Sequence, residues 1–101
     1  RVACTTLDDV VESGESPPNY IKIDVEGSGG EVLAGAERTV EKYRPAIYFE
    51  IHAAAMDSPE LLALHRLRER WGYSLMDLSG TPITSLTPMW GPALWCEPPK
   101  I

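Results

Sequence analysis

Basic residues and cysteines are scarce in this sequence, and long apolar runs are missing. Of 101 residues, nine are lysine or arginine and 15 are aspartate or glutamate, which gives a net charge of −6. This balance argues against a nucleic-acid backbone or an anionic membrane surface as the main partner. No stretch reaches the length of a transmembrane helix, and no charged leader with an apolar segment opens the chain. We therefore expect a cytoplasmic protein.

The two cysteines, Cys4 and Cys96, lie far apart and form no CxxC pair, which argues against a zinc site or a redox motif. We expect both to be buried free thiols. The chain is 44% hydrophobic, so it has the composition of a globular protein rather than of a disordered one, and its 101 residues fill one domain at most. Because it opens at Arg1 rather than at a methionine, we interpret it as part of a longer protein.

The hydrophobic pattern predicts helices that alternate with strands. Thr6 followed by Asp9 is typical of a helix N-terminus. A second helix is predicted from the glycines near residue 30 to about Tyr43, and its apolar face comprises Val32, Leu33, Ala36, Val40 and Tyr43. A third helix is predicted from "DSPE" at 57–60 to Trp71, with Gly72 as its left-handed stop. The strands are predicted at 20–25, 46–51, 73–78 and 93–97. This alternation predicts an α/β domain with a mostly parallel sheet and flanking helices, in which the second strand is buried on both faces. The last strand follows a loop without a helix, so we expect it to be antiparallel.

Charged side chains end two of these strands. In "YIKIDVEG", Ile21, Ile23 and Val25 fall on one face, while the other face carries Lys22 and then two acids, Asp24 and Glu26. In "IYFEIH" (47–52), Glu50 and His52 close the next strand. The ends of neighbouring parallel strands meet at one edge of the sheet. We therefore predict that four ionisable side chains converge there: Asp24, Glu26, Glu50 and His52.

Each of these residues also has a purely structural interpretation. Glu26 is suited to cap the next helix, Glu50 could pair with Lys22 or Arg44, and a lone His52 is often a surface residue. Taken together they favour a site, because several charged groups at the edge of a buried sheet cost desolvation. A metal-dependent hydrolase with Asp24, Glu50 and His52 as ligands is one alternative. The glycines of "EGSGGE" fit no phosphate-binding motif.

Four segments in a fixed order carry a family resemblance: "TLDDVV", "YIKIDVEG", "EVLAGAERTVEKYRP" and "IYFEIH". Over residues 5–52 they resemble the C-terminal half of FkbM-type methyltransferases. The resemblance implies a Rossmann-like class I domain that transfers a methyl group from S-adenosylmethionine to an acceptor, commonly a hydroxyl on a sugar, lipid or secondary metabolite. It implies that the strand of "KIDVEG" is the fourth of seven and borders the acceptor pocket.

On this resemblance a carboxylate or His52 accepts the proton of the acceptor hydroxyl, and Lys22 and Gly27 are expected to contact the acceptor. The catalytic candidates are Asp24, Glu26, Glu50 and His52, and no metal is expected. The family often has a glutamate where this sequence has Gly29.

The half of the family domain that binds the cofactor has no counterpart in this sequence. Residues 1–101 are thus predicted to be the acceptor-side part of the domain, inactive alone, with an exposed sheet edge that favours a homo-oligomer. A binding module that has kept part of a methyltransferase fold without its activity is the other alternative.

Overall fold

The fold is known from a computed structural model that describes residues 6–23, 29–53 and 55–99. The described helices are α1 (Leu7–Glu12), α2 (Gly29–Ala34), α3 (Glu37–Tyr43) and α4 (Pro59–Trp71). The described strands are β1 (Tyr20–Ile23), β2 (Ala46–Ala53), β3 (Ser74–Asp77) and β4 (Met89–Glu97). None of the described helices is long and apolar enough to cross a membrane. The order of elements confirms the predicted α/β domain.

The four strands form one mixed sheet in the order β1-β2-β4-β3. β1 pairs with β2 in parallel, whereas β4 is antiparallel to both β2 and β3. The prediction of a mostly parallel sheet is therefore wrong, and the prediction of an antiparallel last strand is confirmed. β4 follows β3 through a loop, and a strand that returns without a crossover helix must run antiparallel. It begins at Met89 rather than at residue 93, and by entering between β2 and β3 it turns two of the three pairings antiparallel.

The predicted helix ends are largely those observed. Thr6 is the N-cap of α1, and its hydroxyl accepts the backbone N–H of Asp9. Helix α4 begins at Pro59 after the N-cap Ser58, and Gly72 ends it with a φ of 73° in the left-handed region, where glycine carries no steric cost. The local sequence thus determines these three boundaries.

The predicted second helix is wrong in one respect, because the structure breaks it into α2 and α3. The break falls at Gly35, where a Cβ would lie 3.0 Å from the Cβ of Thr6. The Gly35 carbonyl accepts the backbone N–H of Asp8, so the start of α1 fits against the break. Of the residues predicted on its apolar face, Leu33, Ala36 and Val40 are buried, whereas Val32 and Tyr43 are 40% and 41% exposed. A single helical period does not continue through a break, which explains this error.

The core lies on one face of the sheet, between the strands and the helices. On β2, Ile47, Phe49 and Ile51 are buried, while Ala46, Tyr48 and Glu50 between them are only half-buried. The prediction that this strand is buried on both faces is therefore wrong. The buried apolar residues of the described strands and helices are Ile23, Ile47, Phe49, Ile51, Ala53, Leu75, Leu94 and Cys96, together with Leu33, Ala36, Val40, Leu61, Leu64, Leu67 and Trp71. Tyr73 and Leu86, which lie between these elements, complete the core.

Candidate functional site

The candidate site lies at the end of β2, and only part of the predicted set falls within the described residues. Asp24, Glu26 and Gly27 lie outside them, so the predictions for these three residues stay predictions. Lys22, on the exposed face of β1, has its Nζ 5.6 Å from the centre of the Tyr48 ring. The parallel register of β1 and β2, with Ile23 opposite Phe49, confirms that these two strands end at the same edge of the sheet.

Glu50 and His52 are brought together as a pair. The Nε2 atom of His52 lies 3.1 Å from Oε1 of Glu50. Because a carboxylate can only accept, the imidazole is the donor and Nε2 carries the proton. The two side chains differ in exposure, with 3% of the His52 side chain exposed and 33% of the Glu50 side chain. Glu50 is therefore the member of the pair that reaches the surface, and His52 supports it from the interior.

The alternative partners considered for Glu50 have other described contacts. The Arg44 guanidinium donates to the backbone carbonyls of Glu41 and Trp71, and it thereby joins the end of α3 to the end of α4. His52 is buried and not a surface residue. The structural interpretation of His52 as a solvent-exposed side chain is therefore wrong.

An irregularity in the sheet lies at this pair. Glu50 is opposite Ala93, but His52 is opposite Trp90, so the register between β2 and β4 shifts between the two residues of the pair. Pro92 lies in this stretch of β4, and proline has no N–H to donate. A bulge bends a strand and re-aims its side chains, and bulges are common beside functional sites. The shift therefore separates the end of β2 from the regular sheet.

Glu60 joins this site from the first turn of α4, and the sequence analysis missed it. It is 2% exposed, and its Oε1 accepts the backbone N–H of His52, eight residues earlier in the chain. The signal that could have found it is the short connection between β2 and α4, which brings the first helical turn back to the strand end. Helix α2 begins at the same place: a Cβ on Gly30 would lie 2.7 Å from the carbonyl carbon of Pro59.

Metal and cofactor binding can be tested against the described residues. No group of three or more His, Cys, Asp or Glu residues among them could hold a metal ion, although Asp24 of the proposed metal set lies outside them. A cavity of about 210 Å³ lies between α2, α3 and α4, lined largely by apolar side chains, and one of about 370 Å³ lies between α1 and α3. Neither is lined by Glu50 or His52. These two cavities are therefore separate from the candidate site.

Comparison with known proteins bears on the chemistry of this edge. A family model described as the methyltransferase FkbM domain matches residues 1–75, which include β1, β2, α4 and the first residues of β3. This match confirms the resemblance inferred from the sequence and extends it beyond residue 52. Searches of curated proteins and of solved structures gave no match.

Proposed function

Because the chain belongs to the FkbM methyltransferase family, we propose that it forms the acceptor side of a methyltransferase that uses S-adenosylmethionine, that the acceptor is a hydroxyl, and that Glu50 accepts its proton. The observation that carries this proposal is the Glu50–His52 pair at the end of β2. It provides a carboxylate that is one-third exposed and held by a buried imidazole.

Residues of this chain would take up the proton that the acceptor hydroxyl loses. S-adenosylmethionine supplies a methyl group on a positively charged sulfur. When bound, it would supply that methyl group to the acceptor oxygen and leave as the neutral thioether, while the hydroxyl proton would pass to Glu50. His52 donates from Nε2 to Oε1 of Glu50 and so fixes the carboxylate. Its second oxygen, which makes no hydrogen bond within the described ranges, is available to the acceptor. His52 therefore acts as the orienting partner of the base.

We further propose that this domain is part of a larger Rossmann-like sheet. β1, β2 and β3 run in the same direction, since β4 is antiparallel to both of its neighbours. Successive members of this set are joined through helices, as in βαβ units. We propose that the groups that bind the cofactor come from outside these 101 residues, and we therefore expect the 101-residue chain alone to be inactive.

The experiment is a methyl-transfer screen with the complete gene product. The protein is incubated with S-adenosylmethionine labelled in its methyl group and with sugars, lipids and secondary metabolites that carry hydroxyl groups. We expect label in at least one acceptor, and an NMR spectrum of the product that shows the methyl carbon bonded to oxygen. Transfer to nitrogen or carbon would refute the hydroxyl as acceptor, and the absence of any transfer across the panel would count against the activity itself.

We also propose that the chain self-associates through β1, an edge strand of the described sheet. In the described sheet β1 pairs on one side only, with β2, and an open edge strand offers backbone groups to another chain. Tyr20 of this strand is 47% exposed. We expect light scattering of the 101-residue chain to show a mass that rises above the monomer with concentration. Tyr20→Lys, which adds a charge to the edge, should restore the monomer, and a wild-type chain that stays monomeric would contradict the proposal.

A further inference from the structure

Glu60 is a carboxylate buried where a charge is costly. Its residue is 2% exposed, and removal of a carboxylate from water is unfavourable unless hydrogen bonds compensate for the lost hydration. An acidic residue in the first turn of a helix favours the helix dipole, but that effect is available to an exposed side chain as well. The burial of Glu60 therefore has to be explained by what it contacts.

One such contact is with the backbone of the strand that carries the candidate site. Oε1 of Glu60 accepts the N–H of His52. The register of this part of β2 against β4 shifts between Glu50 and His52, which interrupts the regular ladder of the sheet there. A side chain from a helix thus provides support at the point where the regular strand pairing is interrupted.

Helix α4 is a firm base for that support. Leu61, Leu64 and Leu67 are each at most 1% exposed and pack in the core. At the start of the helix, the Ser58 hydroxyl accepts the backbone N–H of Ala55, which ties down the connection from β2. A carboxylate in the first turn of such a helix has little freedom, so its hydrogen bond fixes the backbone of His52.

We propose that Glu60 is a positioning residue: by holding the His52 backbone, it keeps the imidazole in place to orient the carboxylate of Glu50. This inference rests on the proposed function of Glu50 as the proton acceptor. Displacement of a reacting group by about 1 Å can cost as much as about 100-fold in rate. The loss of the Glu60 hydrogen bond should therefore slow the chemical step while leaving the binding of the acceptor largely unchanged.

The test compares three substitutions in the complete gene product, with the acceptor found in the methyl-transfer screen. Glu60→Gln keeps an oxygen that can accept the backbone N–H of His52, whereas Glu60→Ala removes that oxygen. Glu60→Asp keeps the charge on a shorter side chain. We expect kcat to fall about 10- to 100-fold for Ala and Asp and to stay within about threefold for Gln, with KM for the acceptor within about twofold throughout. Glu69→Ala, an exposed position on the same helix, is the matched control and should leave kcat unchanged.

An NMR measurement follows the positioning directly and requires no acceptor. In the wild type, the backbone amide proton of His52 should lie downfield because it is bonded to a carboxylate, and the imidazole ¹H–¹⁵N spectrum should show the proton on Nε2. Glu60→Ala, or Glu60→Asp if the alanine variant does not fold, should move the amide upfield and alter the imidazole spectrum. Glu60→Gln should alter the imidazole spectrum little.

The outcomes separate this inference from the proposed function. If Glu50→Gln abolishes transfer but Glu60→Ala keeps kcat and the His52 imidazole spectrum of the wild type, the positioning role is refuted and the function stands. Equal losses for the Gln and Ala variants of Glu60 would also refute it, because the hydrogen bond would then not be the cause. If Glu50→Gln is fully active while Glu60→Ala disturbs the imidazole, Glu60 positions His52 but the proposed proton acceptor is wrong.

Discussion

Replacement of Asp8 with alanine would remove the carboxylate that caps α3 from a different helix. Asp8 is 3% exposed, and its two oxygens accept the backbone N–H groups of Arg38 and Thr39 at 3.0 and 2.7 Å. These groups lie in the first turn of α3, whose own N-cap, Ala36, has no side chain that can accept a hydrogen bond. A cap of this kind typically contributes about 1 kcal/mol, and hydrogen bonds to a charged group are stronger, so we expect Asp8→Ala to lower the free energy of unfolding by about 2–3 kcal/mol.

The assay is urea unfolding of the chain, followed by tryptophan fluorescence, to which the buried Trp71 contributes. Asp9→Ala is the control: Asp9 has the same chemistry one residue later, but its side chain is 62% exposed and it lies 3.7 Å from the Arg38 guanidinium. An exposed ion pair of this kind contributes little. If Asp8→Ala cost no more than Asp9→Ala, the capping of α3 by Asp8 would be refuted.

The same cap predicts how stability depends on pH. Burial alone would raise the pKa of Asp8, but the hydrogen bonds from the Thr39 side chain and from the backbone of Arg38 and Thr39 outweigh it, and the net pKa lies below its ordinary value of 3.8. A lowered pKa means that the unfolded state binds the proton more readily. The stabilisation is thus fully present above pH 3.8 and is lost as the pH falls below it through the folded-state pKa. The difference between the wild type and Asp8→Ala should shrink over that range in urea titrations.

Two further predictions concern packing and reactivity. Gly30→Ala should lower the free energy of unfolding in urea by about 1–3 kcal/mol, because the new Cβ would lie 2.7 Å from the Pro59 backbone. A gain in stability, which helix propensity alone predicts, would contradict the close contact between α2 and α4. The Cys96 thiol is buried, and burial raises its pKa to about 12. Peptide mapping after treatment with iodoacetamide at pH 8 should therefore find Cys96 modified only in urea. Rapid modification of the folded chain would contradict the burial of this thiol.

The sequence predicted those parts of the fold that depend on local signals. The Thr6 cap, Pro59 at the start of α4 and the left-handed Gly72 follow from side-chain chemistry within one helical turn. The errors arose where a distant element decides the outcome. The helix breaks at Gly35, where Thr6 at the start of α1 packs closely against the chain. The uneven burial of β2, likewise, depends on which face the helices cover, and an apolar run does not reveal this.

The candidate site shows the same division between local and distant signals. The alternation of residues in β2 placed Glu50 and His52 on one face, and the structure brings them to 3.1 Å. Their unequal exposure and the buried contact with Glu60 could not be predicted, because they depend on the bulge and on the return of α4 to the strand end. Local periodicity therefore identifies the residues of a site more readily than the role of each.

The measurement that tests the central claim most directly is kcat of Glu50→Gln for methyl transfer in the complete gene product. Glutamine keeps the shape of the side chain and an oxygen that can accept the Nε2–H of the His52 imidazole. It cannot take up the proton of the acceptor. We expect kcat to fall about 100- to 10,000-fold, the usual contribution of a general base, while unfolding of the protein is unchanged. A variant that transfers methyl groups at the wild-type rate would contradict the claim that Glu50 is the proton acceptor.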